Sequence, residues 1–155
     1  LISDKGMKVT ELFAPDSRSA PVGSGCGDGY AEWLGVTQEQ DARETINALG
    51  KTIPDWLIVD HYGLDESWEK TIRPHVKKIM VIDDLADRKH DCDMLLDQTF
   101  GRNEQHYKEL VPKSCKVLIG AEYSLLRPDF STWRPYSLKK RINGIELSSK
   151  RFRST

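Results

Sequence analysis

Asp60, His61 and Tyr62 stand in succession, and their side chains suit proton-transfer chemistry: a carboxylate base, an imidazole able to shuttle a proton, and a phenolic hydrogen-bond donor. They follow the apolar run Leu57-Ile58-Val59 and precede Gly63, which reads as a buried strand that stops abruptly in a polar loop. Residues leaving a strand alternate in direction. Asp60 and Tyr62 are therefore expected to share a cleft while His61 turns away. The same spacing fits a structural reading, in which Asp60 caps the next turn and Tyr62 packs in a core.

A second group of acids, Asp83 and Asp84, comes directly after Ile79-Met80-Val81-Ile82. Adjacent acids at a strand end can act as a carboxylate pair, as magnesium ligands beside water and phosphate, or as turn formers through Asx hydrogen bonds. His90 and Cys92 alternate with Asp91 and Asp93 and mimic a ligand cluster. No second His/Cys pair stands at a useful spacing, so neither a metal nor a cofactor is expected. The glycine-rich stretch Gly23 to Gly29 matches neither the dinucleotide fingerprint nor the P-loop, and it reads as part of a surface loop from Ser17 to Gly29. Arg127, just before Pro128, is either a phosphate clamp or part of an extended exit from a domain.

Several elements must position these residues. Thr37 is placed to cap a helix from Gln38 to Leu49, with Ala42, Ile46 and Leu49 as its apolar stripe and Gly50 closing it. Asp65 or Glu66 opens a second helix through Trp68, Ile72 and His75, which Pro74 should end early. Strands are expected at Trp56 to Asp60, Ile79 to Ile82, Met94 to Leu96 and Val117 to Ile119, with a short helix from Glu104 to Leu110. A further strand is expected at Val9 to Phe13. Leu1 to Gly6 resembles the last turn of a helix, as though the chain begins inside an element. This alternation predicts an α/β layered fold in which the last four strands form a parallel sheet. Beyond Phe130 the sequence is basic and lacks an apolar period, so residues 1–130 read as the folded lobe and 131–155 as a linker and poorly packed tail.

The composition narrows the possible partners. With 155 residues, 38% hydrophobic, 30% charged and a net charge of -1, the chain can make one domain or one lobe of something larger, and it has no charge excess calling for nucleic acid or a membrane surface. No apolar run has bilayer length and the first residues do not resemble a signal peptide, so a cytosolic protein is expected. Three cysteines without C-x-x-C spacing argue against a disulfide framework or a zinc ribbon. Nothing in the composition speaks for a particular oligomeric state.

Four motifs taken in order are more specific than any one of them. They are Asp55 to Asp65, then Val81 to Arg88 with His90 to Asp93, then Leu95 to Gln98, and finally Tyr123 to Phe130. Together they resemble the UDP-2,4-diacetamido-2,4,6-trideoxy-β-L-altropyranose hydrolases of pseudaminic acid biosynthesis, over roughly Leu1 to Ser137. The resemblance implies a GT-B-type enzyme with two Rossmann-like lobes and a nucleotide sugar between them, of which this chain would be an incomplete N-terminal lobe. It implies that water attacks the anomeric carbon, that UDP leaves and that the configuration inverts. Tyr62 would lie beside the sugar and take part in catalysis, with Asp60, His61, Asp83 and Asp84 in substrate binding. The family's opening Gly-rich loop, whose Gly-His supplies its principal catalytic histidine, has no counterpart here, and none of His61, His75, His90 or His106 stands in that motif. The C-terminal lobe likewise has no counterpart, so the isolated chain is expected to be inactive. In the usual strand order the absent first strand would leave Val9 to Phe13 without its neighbours. A GT-B glycosyltransferase lobe holding an acceptor, and a binding module without catalysis, are the rival readings.

Overall fold

A computed structural model describes residues 5–12 and 30–142. The chain divides into two compact units, Leu1–Tyr123 and Ser124–Thr155. In the first unit the aliphatic runs form four strands: β1 (Leu57–Val59), β2 (Ile79–Ile82), β3 (Met94–Asp97) and β4 (Lys116–Ile119). All neighbours pair in parallel, in the order β1-β2-β3-β4. This is an α/β fold with a parallel sheet flanked by helices, and the four expected strands are present.

The register explains which side chains are buried. Val59, Val81, Leu95 and Val117 are aligned across the sheet, as are Ile58, Met80, Met94 and Lys116. The first row faces the packed core, where Val59, Val81 and Leu95 are buried. The second row is less covered, and Ile58 is 60% exposed. Alternation along a strand therefore sets the direction of every polar residue that follows one.

The core is completed by α2 (Gln38–Leu49) and α3 (Glu66–Ile72), which contribute Ala42, Trp68 and Ile72. The Thr37 hydroxyl caps α2 by accepting the Gln40 N–H at 3.2 Å, and Gly50 N–H closes it on the Ile46 carbonyl. Asp65 caps α3 through the Ser67 N–H at 2.7 Å. Pro74 is compatible only with the tighter 3-10 turn Arg73–His75 that follows. Trp68 Nε1–H donates to Asp41 at 2.8 Å and ties the two helices together. Between Glu104 and Leu110 only a 3-10 turn, Glu104–Tyr107, forms; Asn103 caps it.

Several expectations differ from what is observed or fall outside it. Val9 to Phe13 does not make the expected strand. Residues 7–12 take no regular structure and are exposed, and Phe13 lies outside the described residues. Sequence alternation forms a strand only where a neighbour satisfies the ladder, and no described strand pairs with it. Leu1–Asp4 and the loop from Ser17 to Gly29 also lie outside the described residues, although Gly6 has the left-handed φ of +76° that suits a C-cap. A helical turn, α1 (Ala31–Leu34), appears where none was expected. In the second unit α4 (Pro128–Ile142) is helical without an apolar period; Pro128 occupies its first position, where a missing N–H is harmless. Among the described residues no helix is long and apolar enough to cross a membrane.

A buried hydrogen-bonded pair, Glu69 and His90, holds the loop from Asp87 to Asp93 against α3. Glu69 Oε1 lies 2.7 Å from His90 Nδ1, and its other oxygen accepts the Asp91 N–H. Arg73 adds bonds to Asp91 and Asp93, and Asp93 in turn accepts the Ile79 N–H at 2.8 Å. Glu69→Ala strands His90 and an N–H in the interior, so it should lower the unfolding free energy by about 3 kcal/mol in urea titration. Lys70→Ala, which breaks only the exposed pair with Glu66, should change it by less than about 0.5 kcal/mol. Equal effects would mean that the buried pair is not what fixes this loop.

Candidate functional site

The C-terminal ends of parallel strands lie at one edge of the sheet, and ligand sites gather there. At that edge lies a pocket of about 410 Å³. Its wall is made by Asp60 and Tyr62 after β1, by Ile82, Asp83 and Asp84 at the end of β2, and by Gln98 and Thr99 after β3. Asp60 and Tyr62 share the pocket, as alternation requires. His61 is not among the lining residues. Its Nδ1 accepts the Gly63 N–H at 3.0 Å and its carbonyl accepts the Leu64 N–H at 3.3 Å. Those bonds satisfy the turn without Asp60, which remains exposed.

Gly63 is required by close approach. A Cβ at this position would sit 3.0 Å from the Tyr30 carbonyl oxygen and 3.1 Å from the His61 ring. Tyr30 and Trp33 then pack their rings 5.2 and 5.9 Å from that of Tyr62. The Asp84 carboxylate beside the Tyr62 hydroxyl, with burial and the charges of Asp60 and Asp83, raises its pKa above the ordinary 10.0. Tyr62 is therefore a hydrogen-bond donor at neutral pH and not a base.

The two adjacent acids have different environments. Asp83 continues the buried row of Ile79 and Val81, and its side chain has 0% exposure. Its Oδ2 accepts the Ala86 N–H at 2.9 Å and the Tyr107 hydroxyl at 2.8 Å, the turn-forming role of an Asx residue. The Arg88 guanidinium lies 3.1 Å from Oδ1, close enough to pair the charge although not aligned for a hydrogen bond. Asp84, one residue on, is exposed. Of the pair, only Asp84 presents a solvent-accessible carboxylate at the pocket.

Tyr107 extends this network to β3. Its hydroxyl lies 2.9 Å from Asp97 Oδ2, which also accepts Arg102 Nε–H at 2.8 Å, while Asp97 Oδ1 accepts the Thr99 N–H at 2.8 Å. Burial, followed by the Asp83 and Asp97 carboxylates, pushes the Tyr107 hydroxyl far above its ordinary pKa. Burial would raise Asp97 too, but the bonds from Thr99 and Tyr107 and the charge of Arg102 outweigh it and hold that carboxyl below 3.8.

Among the described residues, the pocket wall thus carries the carboxylates of Asp60 and Asp84 and no cationic side chain. Such a wall favours a neutral ligand rich in N–H and O–H donors over a phosphate. Among the described residues no group of three or more His, Cys, Asp and Glu side chains is arranged to hold a metal ion. His90 is committed to Glu69, and Cys92 Sγ lies 3.6 Å from Cys115 Sγ with both thiols free. Arg127 belongs to the second unit, where its carbonyl accepts the Phe130 N–H at 3.0 Å. Asp97 and Gln98 entered the sequence reading only within the Leu95 to Gln98 motif, without a site role, and Thr99 and Tyr107 not at all; Gln98 and Thr99 directly follow β3. Applying the strand-end rule to β3 would have found those two.

No family model matches the chain. It is similar to a UDP-2,4-diacetamido-2,4,6-trideoxy-beta-L-altropyranose hydrolase from Campylobacter jejuni subsp. jejuni serotype O:2, with 36% identity over 88 residues. That stretch is 56% of this chain and 32% of the relative, so the chain spans about a third of the length of the curated protein it matches.

The acid profile of stability tests the network. Asp97 and Asp93 both have folded pKa values below 3.8; for Asp93, burial is outweighed by the Ile79 N–H and Arg73. Their contribution is therefore complete above the unfolded value and is lost as pH falls through the lower, folded ones. The melting temperature should hold from neutrality to about pH 4 and then fall. Asp97→Asn should lower stability at neutral pH by about 3 kcal/mol and flatten that fall. A variant that melts like the unaltered chain at every pH would show that Asp97 is not a stabilising charge.

Proposed function

We propose that this chain forms the sugar-facing wall of a nucleotide-sugar hydrolase: an incomplete Rossmann-like N-terminal lobe, residues 1–130 with a basic linker after it, of a GT-B-like enzyme. The reaction is hydrolysis of a UDP-linked 2,4-diacetamido-2,4,6-trideoxy sugar to UDP and the free sugar, with inversion at the anomeric carbon, in the pseudaminic acid pathway. The reading rests on one observation above all. Tyr62 lies in a pocket with the carboxylates of Asp60 and Asp84 and, among the described residues, without a cation. The similarity to the Campylobacter hydrolase supports it.

In this mechanism the acetamido N–H and hydroxyl groups of the sugar donate to Asp60 and Asp84, while Tyr62 Oη, whose one proton is turned to Asp84, accepts from a sugar hydroxyl or from the attacking water. Water adds to the anomeric carbon from one face as the C–O bond to the diphosphate breaks on the other; UDP leaves with the bonding electron pair, and the water's proton passes to the Asp60 carboxylate. Positive charge develops on the anomeric carbon, and the nearby carboxylates stabilise it more in the transition state than in the ground state. The diphosphate remains outside the pocket, away from the Asp60 and Asp84 carboxylates. His61 acts by holding the turn that places Tyr62, and Asp83 by holding the loop that carries Asp84.

Calorimetric titration of the 155-residue chain tests the reading. The free 2,4-diacetamido-2,4,6-trideoxy sugar should bind, and Asp60→Asn and Tyr62→Phe should each weaken it about tenfold, the effect of one lost bond to a polar ligand. UDP alone should bind far less. UDP binding without sugar binding would overturn the assignment. Where the chain is part of an active enzyme, Tyr62→Phe should reduce kcat about 10²-fold with little change in melting temperature. An unchanged kcat with a lower melting temperature would return Tyr62 to a packing role.

A further inference from the structure

Cys92 and Cys115 are 23 positions apart in the chain, yet their sulfurs lie 3.6 Å from each other. They stand just before β3 and β4, at the edge of the sheet opposite the pocket. Both backbones are held in place. Arg73 is bonded to Asp91 and Asp93, on either side of Cys92. Cys115 N–H donates to the Pro112 carbonyl and Lys116 N–H to the Asp93 carbonyl, each at 2.9 Å. The thiols are thus in contact in the resting fold and need no opening of the chain to meet. Closing the gap to a sulfur–sulfur bond of about 2.05 Å moves each sulfur by less than about 1 Å.

The two thiols differ in access and in acidity. Cys92 is buried, whereas Cys115 is half-buried and only partly covered by the core. The Cys92 S–H directed at Cys115 holds the Cys115 thiol below its ordinary value, and the same contact, together with burial, pushes Cys92 up. Cys115 is therefore the thiol that ionises and meets a reagent from solvent, with Cys92 behind it. A cysteine oxidised alone stops at an oxyacid; a second thiol in contact converts the sulfenic acid to a disulfide. The sugar-binding reading uses neither thiol.

We propose that Cys92 and Cys115 form a modification site, oxidised by hydrogen peroxide to a reversible disulfide that joins the starts of β3 and β4. Cys115 Sγ attacks one peroxide oxygen and the O–O bond breaks; the other oxygen leaves as water with the thiol's proton, and Cys115 becomes a sulfenic acid. Cys92 Sγ then attacks that sulfur, the S–O bond breaks, and a second water leaves with the Cys92 proton. The two thiols have lost two electrons and two protons, and the peroxide has become two waters. The new bond closes a ring that contains Asp97, Thr99 and Tyr107, and so restricts the unfolded chain. Such a bond is transient and responsive, unlike the framework disulfides that the cysteine spacing argues against.

The reduced full chain, in its folded state, is treated with stoichiometric hydrogen peroxide, blocked with N-ethylmaleimide, digested with trypsin and mapped by mass spectrometry. The peptide of Cys92 should be joined to that of Cys115, and dithiothreitol should separate them. The oxidised chain should melt about 5 °C or more above the reduced one. Cys115→Ser should abolish the link and leave Cys92 unmodified by peroxide, because that thiol is buried. The map of the unaltered chain decides by itself if that variant does not fold. Oxygen added to Cys115 without a link to Cys92, a link from either cysteine to Cys26, or a link that forms only in urea would overturn the assignment. An oxidised chain that melts no higher than the reduced one would also overturn it.

Discussion

One hydroxyl group, that of Tyr107, lies between two buried carboxylates, Asp83 and Asp97, at the ends of adjacent strands. Two such charges in the interior would repel each other by several kcal/mol, on the order of 4 kcal/mol at a separation of a few ångströms. Here each has its own guanidinium, Arg88 for Asp83 and Arg102 for Asp97, and they share a single proton donor. The arrangement stabilises the fold only if it stays complete, because removing any member leaves a buried charge or donor unmatched. The pocket's geometry follows from it: the Asp83 side sets the loop carrying Asp84, and the Asp97 side sets the turn carrying Thr99 and Phe100.

Much of the frame was legible because local physics decides it. The limits of α2 follow from the Thr37 cap, the Ala42-Ile46-Leu49 stripe and Gly50, all of which act within one or two turns. The four parallel strands are short aliphatic runs with abrupt ends, and burial on at least one face leaves them few alternatives. Val9 to Phe13 shows the limit. Its alternation is as regular as that of a strand, but pairing is a property of the neighbour.

The site was legible only in part, for a related reason. The strand-end rule located Asp60, Tyr62 and the Asp83-Asp84 pair, and alternation separated His61 from its neighbours. It could not show which of the two acids turns inward, because Ile79 to Ile82 are apolar on both faces, nor that Tyr107, 24 residues later, would meet Asp83 there. Nor could spacing reveal why Gly63 follows Tyr62, since the clash it avoids is with Tyr30, far away in sequence. Long-range contacts of this kind fix the surroundings of Tyr62 and the inner side of the pocket wall.

The central claim is that the strand-end pocket takes the neutral sugar of a nucleotide sugar and leaves the diphosphate outside. A crystal structure of the chain soaked with the UDP-linked 2,4-diacetamido-2,4,6-trideoxy sugar tests it most directly. The account predicts sugar N–H or O–H groups within hydrogen-bonding distance of Asp60 and Asp84, Tyr62 Oη directed at a sugar oxygen or a water, and no phosphate oxygen on either carboxylate. Density for the diphosphate between Asp60 and Asp84, or for the sugar at any other surface of the chain, would contradict it.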